Sequence, residues 1–312
     1  MKERLVQWLA CPECGGNFTL EVTERVSDEV KSGELRCSRG GHRFPVMRSI
    51  PRFVESDQYV GNFSLEWLRN RTTQIDSHTK RDDSEVTFRQ KCGFRRADLD
   101  GKLVLDVGVG TGRFLEIAKK CGGEVIGIDL SYAVEAAFAN FGKNPKVHII
   151  QADIFRLPFK PEIFDAIYSI GVLHHTPNTK EAFLRLPRLL KKQGKIAIWV
   201  YDYYSHLPII MSRYYRRITT RLPKRLLYYL CYIAIPYYYL LKVPFLRHIF
   251  RAILPTAPWP DWRWRVLDTF DWYSPKYQWW HTDHEVFAWF EEAGLKNVRV
   301  LELPVAISGE KV

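Results

Sequence analysis

The sequence predicts an α/β protein: a mostly parallel sheet covered by helices, with a small cysteine-bearing module in front and a helical insertion behind. Three observations carry this. Apolar runs at 103–107, 124–128, 147–150, 164–169 and 195–200 alternate with helix-like stretches, the rhythm of βαβ units. Cys11, Cys14, Cys37 and His42 fall together within the first 55 residues. Between 201 and 260 the rhythm gives way to tyrosine-rich, basic helical segments.

At 312 residues the chain can hold one large domain and one small one. Residues 1–55 form the small module, punctuated by Gly and Cys and ending in Ile50-Pro51-Arg52-Phe53. Residues 56–100 are polar with scattered aromatics and read as a helical connecting segment that caps the core. Residues 101–200 are the core itself, 201–260 the inserted lid, and 261–312 the completion of the core. In that last part a Trp-rich stretch leads to a helix at 286–293 and a strand at 298–303. Thr282-x-x-Glu285 reads as a capping box and Gly294 as the residue that ends the helix.

Charge is unevenly distributed. Residues 1–60 carry nine basic and nine acidic groups, whereas 201–260 hold nine Lys/Arg against the single acid Asp202. Most of the formal +11 is therefore one local patch, read either as a contact for an anionic partner or as a solvated cationic face. No long apolar stretch precedes the charges of residues 1–10, so the expected location is the cytoplasm.

Cys11-Pro-Glu-Cys14 has the spacing of a metal knuckle, and Cys37 with His42 supplies a second pair. Four soft or borderline ligands on two tight turns fit tetrahedral Zn²⁺, and four protein ligands leave no open position, so the zinc is expected to be structural. The region resembles the small zinc-ribbon domain found beside several methyltransferases, many of which carry a fourth Cys where His42 stands.

The sharpest signal lies at the end of the first core strand. Asp106-x-Gly108-x-Gly110-x-Gly112 lets the backbone turn tightly and approach a ligand, and the following helix points its amides into the same gap. Asp129 ends the second strand, where a carboxylate can accept both hydroxyls of a ribose. Asp153 follows the third strand, within reach of an adenine amine, and Ser169 ends the fourth. All fall at carboxyl ends of consecutive strands, the crevice where open α/β sheets bind ligands. A nicotinamide enzyme would show G-x-G-x-x-G, whereas here the third glycine comes two residues after the second.

From Gly101 to about Val200 these residues resemble the class I S-adenosylmethionine-dependent methyltransferases, of the type 11 kind. Asp106 to Gly112, Gly127-Ile-Asp129, Ala152-Asp153, Phe164 to Ser169, Gly171 to Thr176 and Leu189 to Gly194 carry the resemblance. It implies a Rossmann-like sheet and S-adenosyl-L-methionine as cofactor. Asp106, Gly108, Gly110 and Gly112 would lie near its amino-acid end, Asp129 and Leu130 at the ribose, and Asp153 and Ile154 at the adenine, with Ser169 completing the set. The run 189–194 is similar to the family's helix and loop before its fifth strand.

Methyl transfer is an in-line displacement, so the chain has to position a nucleophile and manage one proton. His174 and His175 follow the fourth strand; His175 is the candidate base or substrate ligand and His174 a packed residue bonded to backbone. Residues 270–281, dense in aromatics, read as the wall of a pocket or as a plug, with Asp271 and Tyr273 as candidate acceptor-site groups. The expected reaction is methyl transfer to a small-molecule, lipid-linked or glycan-type acceptor. Residues 226–246 are apolar but hold Pro236, Lys242 and six tyrosines, which suits a helical lid, or an interfacial helix at the inner membrane face, better than a span. An RNA methyltransferase using ribbon and basic patch is the alternative. It stands behind because residues 1–60 are neutral and 169–172 read Ser-Ile-Gly-Val where such enzymes often carry a polar-aromatic tetrapeptide. A non-catalytic scaffold is the third reading.

Overall fold

The computed structural model describes residues 1–203, 206–245 and 247–312. Of the lid stretches singled out above, Leu246 lies outside the described residues, as do Tyr204 and Ser205.

The N-terminal module is a four-stranded antiparallel sheet in sequence order: β1 (Phe18–Val26), β2 (Glu29–Cys37), β3 (Arg43–Met47) and β4 (Ile50–Pro51). The core sheet has seven strands: β5 (Leu103–Val107), β6 (Glu124–Asp129), β7 (Val147–Gln151), β8 (Phe164–Ile170), β9 (Leu190–Trp199), β10 (Lys296–Val300) and β11 (Ala306–Glu310). Their order is β10-β11-β9-β8-β5-β6-β7, with β11 antiparallel to both neighbours and the rest parallel. Every residue of β5 and β7 is buried, including Asp106, His148 and Gln151 among the Val, Ile and Leu. The chain leaves β5 toward β6 on one side and returns as β8 on the other. That reversal opens a crevice at the carboxyl ends of β5 and β8.

Three boundaries differ from the sequence reading. Strand β9 begins at Leu190, so the run 189–194 is mostly strand, preceded only by the turn Pro187–Leu189. The last part of the chain forms a hairpin, β10 with β11, where one strand at 298–303 was expected; the second strand pairs along β9 from Trp199 to Lys195. Thr282 does cap its helix, accepting from the Glu285 amide at 3.2 Å. The Glu285 carboxylate, however, pairs with His281 Nδ1 at 3.0 Å rather than returning to the cap, so the box is half closed.

Residues 56–100 form helices at Gly61–Arg69, Asp76–Thr79, Asp83–Cys92 and Arg96–Leu99. In the lid, helices Lys224–Leu230 and Ala234–Leu240 are joined by the single turn Cys231–Ile233, so 224–240 is a nearly continuous rod. It packs on helix Trp262–Tyr273, burying Leu227, Tyr228 and Cys231 against Val266, Phe270 and Tyr273. Among the described residues no helix is long and apolar enough to cross a membrane.

The ribbon covers the β7 edge of the core sheet. Arg52 bridges in parallel to Gln151, and the Phe53 amide donates to the Gln151 carbonyl at 2.9 Å. An exposed edge strand invites pairing with other chains, and this one is covered. The 7%-exposed Arg52 guanidinium locks the joint, donating to Gln151 Oε1 at 2.5 Å and to the Glu135 carboxylate. Arg52→Ala is expected to lower the free energy of unfolding by about 2 kcal/mol, the scale of charged hydrogen bonds lost at a buried site. Urea titration would show an earlier midpoint, against no shift if the joint carries nothing.

Candidate functional site

The crevice is a cavity of about 730 Å³. One wall is the loop after β5. There Gly108 has φ +82°, and a Cβ on it would fall 2.3 Å from Val172 Cγ2, so only glycine fits. The loop is pinned to the next strand: the Gly108 and Val109 amides donate to the Ile128 carbonyl at 2.8 and 2.9 Å. The Gly110 amide donates to Asp129 Oδ2 at 3.0 Å. The other Asp129 oxygen accepts from the Ser131 amide at 2.8 Å and its hydroxyl at 2.6 Å. Burial raises the Asp129 carboxyl pKa, and these donors oppose it. Asp153 caps the turn Ile154–Arg156 by accepting from the Phe155 amide at 3.0 Å, and burial raises its carboxyl as well.

Of the residues expected at the cofactor, Gly108, Gly110, Asp129, Leu130, Asp153 and Ile154 line this cavity. Asp106, Gly112 and Ser169 do not. Asp106 lies under the loop, 3% exposed, and burial lifts its carboxyl to about 8 despite the nearby Tyr168 hydroxyl. The Ser169 hydroxyl donates to the Val107 carbonyl at 3.1 Å, tying β8 to β5.

The opposite wall comes from residues 59–91, 199–212, 251–259 and 268–280. His175 lines it, and its Nδ1 lies 2.9 Å from the Tyr277 carbonyl. That contact makes Nδ1 the donor and leaves Nε2, which has no protein partner, as an acceptor. Burial pushes the His175 pKa down to about 3, so the ring is neutral. Asp271 also lines the wall; its Oδ2 accepts from Tyr201 at 3.0 Å, and burial with Asp268 nearby lifts it to about 7. Tyr273, expected here, is absent from the lining. Its hydroxyl donates to the Pro255 carbonyl at 2.6 Å, and its ring packs in the lid core. His174 is fully buried and stacks on Tyr201 at 3.9 Å between centroids. Neither of its ring nitrogens bonds to backbone as expected; both lack a partner, and burial keeps the ring neutral.

Glu66 and Lys91 are among the lining residues that escaped the sequence reading. Glu66, on helix Gly61–Arg69, is fully buried with both carboxylate oxygens unpartnered; burial and the nearby Asp271 and Asp268 raise its pKa well above normal. Lys91 places Nζ 3.1 Å from the Trp199 ring centroid, and burial lowers it to about 7. The available signal for Glu66 was an acid between Phe63 and Trp67, on the aromatic side of a short helix.

The four predicted metal ligands converge. Their donor atoms all lie within 4.8 Å of one another, with Cys11 Sγ to His42 Nδ1 and Cys14 Sγ to Cys37 Sγ each 3.4 Å. A tetrahedron with Zn–S bonds of about 2.3 Å has edges of about 3.8 Å, so the set fits a zinc ion. A Cβ on Gly40 would fall 2.4 Å from the His42 ring, so this turn, too, requires glycine.

Residues 105–198 match the Methyltransferase domain family, and residues 2–49 match the Trm112p-like protein family. The chain therefore carries a methyltransferase domain, with the Rossmann-like fold of S-adenosylmethionine-dependent methyltransferases, behind a Trm112p-like ribbon. It is 35% identical over 104 residues to tRNA (carboxymethyluridine(34)-5-O)-methyltransferase of Arabidopsis thaliana, covering 32% of this chain and 24% of the relative. With O-methyltransferase rstn1 of Aspergillus nomiae it shares 30% identity over 131 residues, covering 39% and 58%. A solved complex of the Haloferax volcanii Trm112 methyltransferase activator with a methyltransferase is 15% identical, with TM-score 0.46 over 76% of this chain and 77% of that one. The chain thus spans about a quarter of the tRNA methyltransferase and little more than half of rstn1.

Two outcomes follow from this geometry. Purified protein should hold about one zinc per chain, and Cys37→Ser should bring the content near zero and open residues 1–55 to protease. Full zinc occupancy in that variant would show the four residues are not the ligands. Asp271 keeps a proton in the fold that the unfolded chain, at 3.8, releases, so its contribution to stability is full below about pH 4 and is lost as pH rises through about 7. Asp271→Asn should remove that loss, on the order of 4 kcal/mol, from stability curves taken between pH 4 and pH 7.5.

Proposed function

We propose that the chain transfers a methyl group from S-adenosylmethionine to a small-molecule or lipid-linked acceptor. The observation that carries this is one cavity with two unlike ends. The glycine loop with Trp67 beside Gly110, Asp129 and Asp153 make one end; Asp271, His175, Trp199 and Trp280 make the other.

When bound, the cofactor supplies an electrophilic methyl group on a sulfonium. Asp129, held in place by the Gly110 and Ser131 amides, would accept from the ribose hydroxyls. Asp153 and Ile154 would border the adenine, and Gly108 and Gly110 the amino-acid end, with Asp106 and Ser169 beneath that loop. On the acceptor side the pKa values divide the work. His175, at about 3, holds a proton too weakly to act as base but orients an acceptor O–H or N–H through Nε2. Asp271, at about 7, is matched to take the proton. The four-ligand zinc site keeps the ribbon folded and leaves no position for chemistry.

A second reading is methylation of RNA. The match to a tRNA methyltransferase supports it and removes the ground for ranking nucleic acid behind small molecules, and the same domain matches an O-methyltransferase equally well. A non-catalytic scaffold has less behind it, since the cofactor end retains every lining carboxylate.

Calorimetry with S-adenosylmethionine tests the reading. Wild type should bind saturably, and Asp129→Ala should weaken binding by about 1–3 kcal/mol, the scale of a buried charged hydrogen bond. Folded, zinc-loaded wild type that does not bind would remove the enzyme reading.

A further inference from the structure

Helix 224–240 is apolar on two sides. Its inner side buries Leu227, Tyr228, Cys231 and Ala234. The outer side, at the same helical spacing, presents Leu226, Tyr229, Leu230, Ile233 and Leu240, each 44–59% exposed, and the loop beyond carries Phe245 at 90%. A helix apolar all round belongs in a core or in lipid, and a large apolar surface left in water marks a binding site.

Charge identifies what covers it. Arg221, Lys224 and Arg225 stand at one end of the rod, and Lys242, Arg247 and Arg251 beyond the other; all six are exposed. Asp202 is the single carboxylate in 201–260. Cations flanking an apolar stripe with tyrosines between them match a bilayer interface, where rings and aliphatic stems sit at the headgroup boundary and cations meet lipid phosphates. Because no described helix can span, the rod lies along the surface. RNA would engage the cations but leave Leu230, Ile233, Leu240 and Phe245 in water, and a second copy of the chain would bring like charge against like.

We propose that the outer face of 224–245, with its flanking Lys and Arg, docks this protein onto an anionic lipid surface. The inference stands on exposure and charge, independently of the methyl-transfer reading. Its geometry also bears on the site: Arg251, at the end of the docking face, and Pro255, Pro258 and Trp259 just beyond it line the cavity. An acceptor held in the bilayer would meet the cavity mouth without leaving the surface.

Sedimentation of the full, zinc-loaded chain with vesicles tests it, without cofactor. Vesicles of equal parts phosphatidylglycerol and phosphatidylcholine should capture the protein, and pure phosphatidylcholine should capture far less, with the difference falling as salt rises. Leu230→Ser/Ile233→Ser/Leu240→Ser should lower vesicle affinity by about tenfold or more at unchanged charge. Phe245→Ser, at a position with almost no packing to lose, should weaken it by a smaller factor with an unchanged unfolding midpoint. No capture by anionic vesicles overturns the proposal. So does capture that the apolar substitutions leave unchanged while a single-stranded RNA competes it away, which would assign the patch to nucleic acid. Concentration-dependent doubling of mass without lipid, abolished by the same substitutions, overturns it in favour of a dimer face.

Discussion

Strand β5 pairs in parallel with β6 along its whole length and with β8 through 104–106, and parallel neighbours cannot be joined by a tight turn. Each strand must be followed by a crossover, and because the crossover after β5 runs to β6 while the one after β8 runs the other way to β9, their starting loops part above the carboxyl ends of β5 and β8. The cavity exists because of that parting. The loop at 108–112, Asp129 and the turn at 171–176 are brought together by strand pairing alone, before any of them contacts another. A slip of one residue in the β5–β6 register would turn Asp129 to the other face of the sheet. The backbone bonds that set this register therefore decide the site more than any side chain in it.

The second constraint is that several charges lie where water is scarce. Asp106, Asp129, Asp268, Asp271 and Glu66 are all lifted above the ordinary carboxyl range by burial. Asp268 shows how the cost is met when the role is structural: it accepts from Gln74 at 3.2 Å, from Trp264 at 3.2 Å and from Trp259. Glu66 accepts from nothing. That contrast separates a carboxylate that builds the wall from one that faces the cavity with its hydrogen-bonding capacity unspent.

Legibility in the sequence followed the range of the interactions involved. The strand–glycine–helix signal, Asp129, Asp153 and the four ribbon ligands were readable because each belongs to a short motif whose spacing is fixed by local backbone geometry. The carboxyl-edge crevice was readable as well, since alternating strands and helices imply it. The acceptor side was legible only in part: Asp271 and His175 were named and line the cavity, while Glu66, Lys91 and Tyr201 were missed, because that side is assembled from residues far apart in the chain. Glu66, Lys91, Tyr201 and Asp271 come from four separate segments. Tyr273 illustrates the limit: two residues from Asp271 in an aromatic stretch, it turns into the lid core, since a helix carries positions i and i+2 to different faces. The β10–β11 hairpin was half legible, because β11 is short and only its pairing along β9 distinguishes it from a tail.

The basic surplus of 201–260 divides in two on the same grounds. Arg216 is 9% exposed and donates to the Trp272 and Pro275 carbonyls at 3.2 and 2.5 Å; burial lowers its pKa to about 10, opposed by Asp271. Across the lid, Arg265 of the central helix donates to the Trp259 and Pro260 carbonyls at 2.8 Å and to Ile235 at 3.3 Å. These two guanidiniums satisfy main-chain oxygens that irregular segments would otherwise bury without partners, and so they hold lid and helix Trp262–Tyr273 as one layer. Of the remaining cations, Arg251 also borders the cavity, and Arg221, Lys224, Arg225, Lys242 and Arg247 are exposed. The rod at 224–240 thus packs its inner surface on helix Trp262–Tyr273 while its outer surface stays exposed. Whatever binds outside bears on the same rod that packs against Val266, Phe270 and Tyr273, on the helix that carries Asp268 and Asp271.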